Sequence, residues 1–189
     1  MTIRPVLALA ATLLLSACAT SPTPTLYVLQ SVPGTKIATR PVGVELRRIS
    51  LAGYLDRPEL VRGPRDFRLV VDDQSRWGEP LGAMLNRVLT EDLVQRLPAA
   101  SVFAETGAIS TKPELVLELD VQRLDTEADG NVVLLAQLAL RPLDGTAKAT
   151  TLRLRQTMVG DGAAAQAQAM SAALGALADE IAGRVAGTP

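Results

Sequence analysis

Residues 115–158 read LVLELDVQRLDTEADGNVVLLAQLALRPLDGTAKATTLRLRQTM, and their pattern predicts the centre of the fold. Apolar and polar side chains alternate in three segments, which is the period of a strand that buries one face. The pairs Asp129-Gly130 and Asp144-Gly145 separate these segments, and Asp-Gly favours a tight hairpin turn. The stretch therefore predicts an antiparallel meander of three strands with one face in the core.

Charged side chains mark the predicted outer face of this meander. Glu118 and Asp120 lie on its first strand, and Arg153 and Arg155 lie on its third. The simplest interpretation is that these side chains form cross-strand ion pairs in solvent.

Two amphipathic helices are predicted to pack on one face of the sheet. Leucine recurs at every fourth position from Leu81 to Leu97. Pro98 then ends the helix, because proline cannot continue the helical hydrogen-bond ladder. A second apolar stripe follows Asp161, a candidate N-cap, and continues through Arg184.

Shorter strands are predicted upstream of the meander, at residues 26–29, 42–46 and 101–103. The order of strands and helices indicates a single α+β domain over residues 26–187, with a largely antiparallel sheet and the two long helices on one face. A chain of 189 residues has room for one sizeable core rather than for two.

Composition excludes several classes of function. A formal net charge of −1 argues against nucleic-acid binding, which usually needs a basic face. The chain has no histidine and one cysteine, Cys18. It therefore lacks the residues for Ser-His-Asp or Cys-His catalysis, for a histidine-ligated metal site and for an intramolecular disulfide. We expect no cofactor and no enzyme active site.

The N-terminal residues predict a lipoprotein signal peptide over residues 1–17. Arg4 supplies a positive charge, and the apolar run at 6–15 is too short to span a bilayer, which takes about 20 residues. The run ends in Leu-Ser-Ala-Cys, which resembles the bacterial lipobox and implies that Cys18 is lipidated. The alternative is an ordinary secretory signal in which Cys18 is incidental.

The residues after this motif predict a flexible tether and the membrane to which the protein is sorted. Residues 18–25 combine the lipidated Cys18 with a Ser, Thr and Pro-rich run that favours extended, solvated backbone. In bacterial lipoproteins a residue other than Asp after the cysteine usually implies sorting to the outer membrane, and Ala19 stands here. We expect a domain attached to the periplasmic face of the outer membrane.

Residues 53–81, GYLDRPELVRGPRDFRLVVDDQSRWGEPL, hold three of the five aromatic side chains in the protein. Their apolar positions predict two short strands, with Gly63-Pro64 as the break between them. Residues 72–75 predict a polar turn, and the segment then enters the first long helix at Pro80.

Two blocks in this segment, YLDRPELVR at 54–62 and RWGEPL at 76–81, resemble the ABC-type transport auxiliary lipoprotein family. That family includes the outer-membrane lipoprotein of the paraquat-inducible (Pqi) system. The resemblance extends over essentially the whole mature chain, including the Tyr-x-Leu strand at 27–29 and the long helix after the second block.

The resemblance implies a non-enzymatic subunit of a lipid transport assembly. In such systems MCE-domain proteins bridge the periplasm, and the resemblance implies that the lipoprotein receives that bridge at the outer membrane as a homo-oligomer. It also implies a role in membrane integrity. The expected partners are an MCE-domain protein, the outer membrane and phospholipid.

Three residues are candidates for the partner contact: Tyr54, Arg57 and Trp77. Trp77 either anchors a partner or lies in the core, and its place at a junction of elements favours the core. Tyr54 is either a surface contact or a lid on the core.

Arg57 either binds a phosphate or a partner carboxylate, or forms an internal pair with Asp56, Glu59 or Asp73. The residue type suits each of these, and the sequence leaves the alternatives open.

Two other functions remain to be weighed against the docking role. The apolar stripes equally suit a periplasmic carrier that holds acyl chains between sheet and helices. A hydrolase that uses the carboxylates of Glu79 and Asp73 lacks any second motif to support it.

Overall fold

The computed structural model describes residues 22–65, 67–108 and 111–188, and their side chains except those of Pro64 and Arg65. The elements are β1 (Thr25–Tyr27), β2 (Gly43–Leu46), β3 (Ser50–Leu51), β4 (Glu59–Arg65), β5 (Arg68–Trp77), α1 (Leu81–Arg96), β6 (Ser101–Ala104), β7 (Leu115–Thr126), β8 (Asn131–Pro142), β9 (Lys148–Thr157) and α2 (Gly162–Ala186).

The meander forms the body of a six-stranded sheet. Its order is β6-β2-β7-β8-β9, and β3 pairs with β7 beyond the end of β2. β7–β8 and β8–β9 are antiparallel hairpins at the two predicted Asp-Gly turns, and Gly130 has a φ of 81°, which glycine adopts without strain. These turns and strands are confirmed.

The predicted α+β class is also confirmed. α1 and α2 pack against each other, α2 lies across β8 and β9, and the buried leucines of both helices join the buried face of the sheet in one core. The short strands β2 and β3 add parallel pairings to β7, so the sheet is mixed but mostly antiparallel.

A second sheet, of three strands in the order β1-β5-β4, crosses the end of the first. The prediction that Gly63-Pro64 is the break between the two strands was wrong, because β4 continues through both residues. The chain reverses between the paired residues Arg65 and Arg68. Glycine is needed at position 63 for a different reason, because a Cβ atom there would lie 1.8 Å from the carbonyl oxygen of Thr126. Glycine lets β4 pass directly over the end of β7.

The polar turn predicted at residues 72–75 was also wrong, because these residues lie within β5. The β4–β5 register jumps from Arg76 to Asp72, which leaves the intervening residues as a bulge, and β1 pairs with Ser75 on the other edge. The bulge retains one turn-like contact, in which Gln74 N donates to Asp72 Oδ1 at 3.1 Å.

The four predicted outer charges do not pair with one another. β8 lies between β7 and β9, so the arginines of β9 cannot face the carboxylates of β7. The arginines instead reach the carboxylates at the β7–β8 turn, and Glu118 faces one arginine just after β2 and one in β8. The ion pairs are Arg153–Glu127, Arg155–Glu127, Arg155–Asp129, Glu118–Arg47 and Glu118–Arg141.

Residues 28–40, here called the strap, cross the helix pair without regular structure. The strap pairs with no strand in the described part of the chain, and side chains of both helices accept hydrogen bonds from its backbone instead. Gln30 N donates to Ser171 Oγ at 3.1 Å, and Val32 N donates to Asp92 Oδ1 at 2.8 Å. The backbone of α1 adds a bond from Ile37 N to Arg96 O at 2.7 Å. The strap is therefore part of the packed domain.

Candidate functional site

The two sequence blocks meet in space at the start of α1. Trp77 N donates to the carbonyl oxygen of Pro58 at 2.7 Å, and Glu59 is the register partner of Arg76. Gly78 N donates to Tyr27 O at 2.8 Å, which adds β1 to the same junction. The blocks are thus neighbours because β4 and β5 pair at this end of the three-stranded sheet.

A groove of about 370 Å³ opens between the blocks, and we call it the Arg57 groove. It is lined by Asp56, Arg57, Pro58, Trp77, Glu79, Pro80 and Leu81. A larger groove of about 580 Å³ adjoins it, since Asp56 and Pro80 line both. The surface around the start of α1 is therefore concave and of mixed polar and apolar character.

Trp77 lies at the base of this junction and is 6% exposed. The core interpretation of this side chain is confirmed, although one edge still lines the Arg57 groove. A buried indole here closes the three-stranded sheet against the first turn of α1.

Arg57 lies at the rim of the groove with 38% of its side chain exposed. Its Nε donates to Glu59 Oε2 at 3.2 Å, so Glu59 is the internal partner among the three that the sequence allowed. Arg76 Nη2 lies 3.8 Å from the other oxygen of the same carboxylate. Glu59 thus positions two arginines, and the guanidinium of Arg57 has further N–H donors beyond the one this bond uses.

Tyr54 does not line the Arg57 groove. It packs against the core, and its hydroxyl donates to Asp125 Oδ2. Asp125 is fully buried and also accepts a bond from Arg123 Nη2 at 2.6 Å. Burial and the bond to Asp125 raise the pKa of Tyr54 above its ordinary value of 10.0, so the phenol is neutral and acts as a donor. This contact agrees with the lid interpretation.

A model of the ABC-type transport auxiliary lipoprotein component family matches residues 27–182. The chain belongs to this family. The matched range includes both blocks, the Arg57 groove and the helix pair, so the resemblance drawn from the blocks is confirmed.

Two solved structures share the fold of this family member. A crystal structure of an uncharacterized protein superposes with a TM-score of 0.74 at 18% identity, covering 87% of this chain and 99% of that one. A crystal structure of a protein from Xanthomonas campestris superposes with a TM-score of 0.71 at 18% identity, covering 86% of this chain and 94% of that one. At this identity the likeness concerns the fold alone.

A curated relative, formate–tetrahydrofolate ligase from Paenarthrobacter aurescens, is 42% identical over 60 residues. The match covers 32% of this chain and 10% of the ligase, so the chain spans about a tenth of that protein's length. The family to which the whole domain belongs is a transport auxiliary component and is not a class of enzymes.

Asp73 and Glu79, the two carboxylates considered for hydrolysis, lie in different surroundings. Asp73 is exposed in the β5 bulge, while Arg87 Nη2 lies 2.5 Å from Glu79 Oε1. Within the part of the chain that the structure describes, there is no group of three or more side chains that could hold a metal ion. Glu79, just before α1, is the ion-pair partner of Arg87 on that helix.

The lipobox and Cys18 lie outside the described residues, so the lipidation of Cys18 stays a prediction. The same holds for the signal peptide at 1–17 and for the first part of the tether. Across residues 22–65, 67–108 and 111–188, no helix is long and apolar enough to pass through a bilayer.

Sequence reasoning missed two features of the structure. It did not identify Asp125, because a partner 71 positions from Tyr54 has no local signal. It also missed a groove of about 470 Å³ between the β8–β9 hairpin and the C-terminal end of α2. Lys148 and Arg184 line that groove beside Leu138 and Leu140.

Proposed function

We propose that this family member is an outer-membrane-anchored, periplasm-facing subunit of an MCE/ABC-type lipid transport system. In that role it docks the periplasm-spanning MCE-domain protein and supports membrane integrity, without catalysing a reaction. The observation that carries the proposal is the convergence of the two family-like blocks around the Arg57 groove.

The chemistry of the groove suits a protein partner. An apolar floor of Pro58, Trp77 and Leu81 lies beside the partly exposed side chain of Arg57. Interfaces typically place an apolar anchor in such a recess and an Arg–carboxylate contact at its edge. The proposed partner segment therefore carries one apolar side chain and a neighbouring carboxylate.

In vivo photocrosslinking tests the docking role. A photoreactive residue at Arg57 or Asp56 is expected to capture an MCE-domain protein, while the same residue at Val94, which is 48% exposed on α1, captures none. Capture from Val94 alone would contradict the assignment of the groove. Trp77 is a poor position for the probe, because replacing a buried side chain disturbs the fold.

The anchor is tested separately by labelling cells with a radioactive fatty acid. The wild-type chain is expected to incorporate label, and Cys18→Ser is expected to lose it. Several acyl chains make attachment durable, at about 0.8 kcal/mol for each buried CH₂. Equal labelling of the two proteins would remove the anchor from the proposal, and fractionation of the labelled protein then tests the outer membrane as its location.

A lipid-holding role is the second candidate, and the groove beside Lys148 and Arg184 favours it. Its volume lies within the range of about 300–1,000 Å³ typical of small-molecule sites. The apolar floor of Leu138 and Leu140 suits an acyl chain, and the two cations suit a phosphate group at its end.

Mass spectrometry of extracted ligands distinguishes the two roles. A phospholipid that co-purifies at about one per chain, and is lost in Lys148→Glu/Arg184→Glu, would favour the carrier. A chain that carries no lipid but crosslinks from Arg57 would favour the adaptor. Light scattering of the purified chain tests the homo-oligomer that the resemblance implies.

A further inference from the structure

The turn between β4 and β5 presents apolar side chains to solvent. Phe67 is fully exposed and has a φ of 61°, a left-handed conformation that is unfavourable for a bulky residue. Leu69 and Val70 are 38% and 40% exposed. Because successive residues of a strand face opposite sides, both faces of the hairpin are open to solvent here, and the tip projects beyond the core.

The charges around this tip favour an anionic partner. Arg68 follows Phe67 directly and has no ion pair among the described residues, while Arg62 lies opposite Val70 on β4 and pairs with Asp72 at 4.0 Å. The turn sequence Arg-Asp-Phe-Arg at 65–68 has a net charge of +1. Apolar side chains among arginines are typical of protein surfaces that enter the interface of an anionic bilayer.

The direction of β1 puts the chain that immediately precedes it on the same side of the domain as this tip. β1 is parallel to β5, with Thr25 opposite Ser75, so the chain that precedes Thr25 approaches from the side of the hairpin tip. Thr25 lies seven positions after Cys18, and Ser75 lies seven positions after Arg68. At about 3.3 Å per extended residue, seven positions of tether span up to about 23 Å. The bulge in β5 makes the distance from Arg68 to Ser75 shorter than that, so the tether has the length to bring the tip to the level of Cys18.

We propose that the β4–β5 tip, centred on Phe67, is a second membrane contact that inserts into the phospholipid leaflet holding the acyl anchor. Two points of attachment fix the orientation of the domain, whereas a tether alone lets it rotate. The Arg57 groove lies at the other end of β5 from the tip and is thereby directed away from the bilayer. This inference rests on the proposed anchoring through Cys18.

An environment-sensitive fluorophore at position 67 tests the proposal in the full mature lipoprotein. Acylation occupies the one native thiol, so maleimide labels only an introduced cysteine, in Phe67→Cys or in the control Ala147→Cys. Ala147 is exposed in the β8–β9 turn, at the opposite end of β7 and β8 from the tip. The proteins are reconstituted into vesicles of phosphatidylethanolamine with a minority of phosphatidylglycerol.

The expected result is quenching of the probe at 67 by lipid-borne nitroxide, with no such quenching at 147. Equal aqueous exposure of the two probes would overturn the tip contact while leaving the anchor intact. A probe at 67 that is shielded from water but not quenched by lipid would assign the tip to a protein contact and also overturn the proposal. If maleimide labels the wild-type chain, the thiol is free, and the anchor fails together with the inference that rests on it.

A second variant needs no label. Phe67→Asn keeps a residue that tolerates the left-handed turn and removes the apolar side chain. Trypsin cleavage after Arg68 is expected to be slower in vesicles than in detergent. That protection should fall by about tenfold in Phe67→Asn, the lower end of what burying a Phe side chain contributes. Unchanged protection would show that Phe67 makes no contact with lipid.

Discussion

Arg96 Nε of α1 donates to Asp179 Oδ1 of α2 at 2.6 Å, although the Arg96 side chain is 1% exposed and that of Asp179 is 54% exposed. The other guanidinium nitrogens donate to the carbonyl oxygens of Val32, Asp92 and Gly175. One buried cation therefore joins both helices to the strap. Its hydrogen bonds replace the water that burial removes, which is the condition for tolerating such a charge.

Replacing Arg96 with Met is expected to lower the free energy of unfolding by about 3–5 kcal/mol, the cost of removing one member of a buried ion pair. The fully buried carboxylate of Asp92 would lose its nearby cation, which now lies 3.8 Å away. Urea unfolding measures the effect. Asp179→Asn is the matched control and should cost about 1 kcal/mol or less, because Asp179 is half exposed. Equal unfolding midpoints for Arg96→Met and wild type would refute the structural role.

The pH dependence of stability should carry a signature of Asp92. Burial is the largest effect on this carboxyl and raises its pKa above the ordinary value of 3.8, against hydrogen bonds from Ser31 and Val32 and the charge of Arg96. A raised pKa in the folded state means that the folded chain binds more protons than the unfolded chain between the two pKa values. The contribution of Asp92 to stability is therefore fully present below pH 3.8 and is lost as pH rises through the folded-state pKa.

The measurement compares the melting temperatures of wild type and Asp92→Asn from below pH 3.8 upward, since the unfolded carboxyl is half ionised at that pH. The stability of wild type relative to Asp92→Asn should decrease as pH rises and then level off. A relative stability that increases with pH would indicate a lowered pKa instead.

Gly63→Ala is expected to destabilise the protein by about 1–3 kcal/mol, the usual cost of overpacking. The new Cβ atom would lie 1.8 Å from a backbone oxygen of Thr126, which cannot move aside as a flexible side chain could. Gly53→Ala is the matched control in the same sequence segment, because a Cβ atom there has nothing within 4 Å. Similar thermal midpoints for the two variants would contradict the close crossing of β4 over β7.

Arg57→Glu is expected to reduce capture of the MCE-domain partner by about tenfold, in line with the loss of a charged interface contact. Reversing the charge also repels the partner carboxylate that the docking proposal requires. The melting temperature should change little, because Arg57 is partly exposed. Lys36→Glu, on an exposed residue of the strap, controls for net charge. Equal loss of capture in both variants would assign the effect to charge in general.

Much of the fold could be predicted because its signals are local. Alternation over residues 115–158 and the two Asp-Gly turns specify the hairpins, since neighbouring strands need only a short turn between them. The leucine period of α1 and the apolar stripe of α2 likewise lie within single elements. The short parallel strands β2 and β3 could be recognised only in part, because their pairing with β7 depends on residues about 70 positions away.

The candidate site likewise has features that the sequence predicts locally and features that depend on distant residues. The blocks that contain Arg57 and Trp77 are visible in the sequence, and the pairing of β4 with β5 brings them together. The separation of Tyr54 from that groove was not predictable, because the direction of its side chain depends on the distant Asp125. The groove beside Lys148 and Arg184 likewise forms only where the end of α2 meets the β8–β9 hairpin.

The sequence by itself determined the hairpin meander, the two long helices and the family to which the chain belongs, because periodicity, turn pairs and short motifs are encoded within neighbouring residues. Only the tertiary structure decided that Arg96 is a core residue, that Gly63 serves a strand crossing, and that Phe67 projects into solvent. Each of these depends on which distant segment, if any, packs beside the residue. Burial is a property of that packing and not of the residue type.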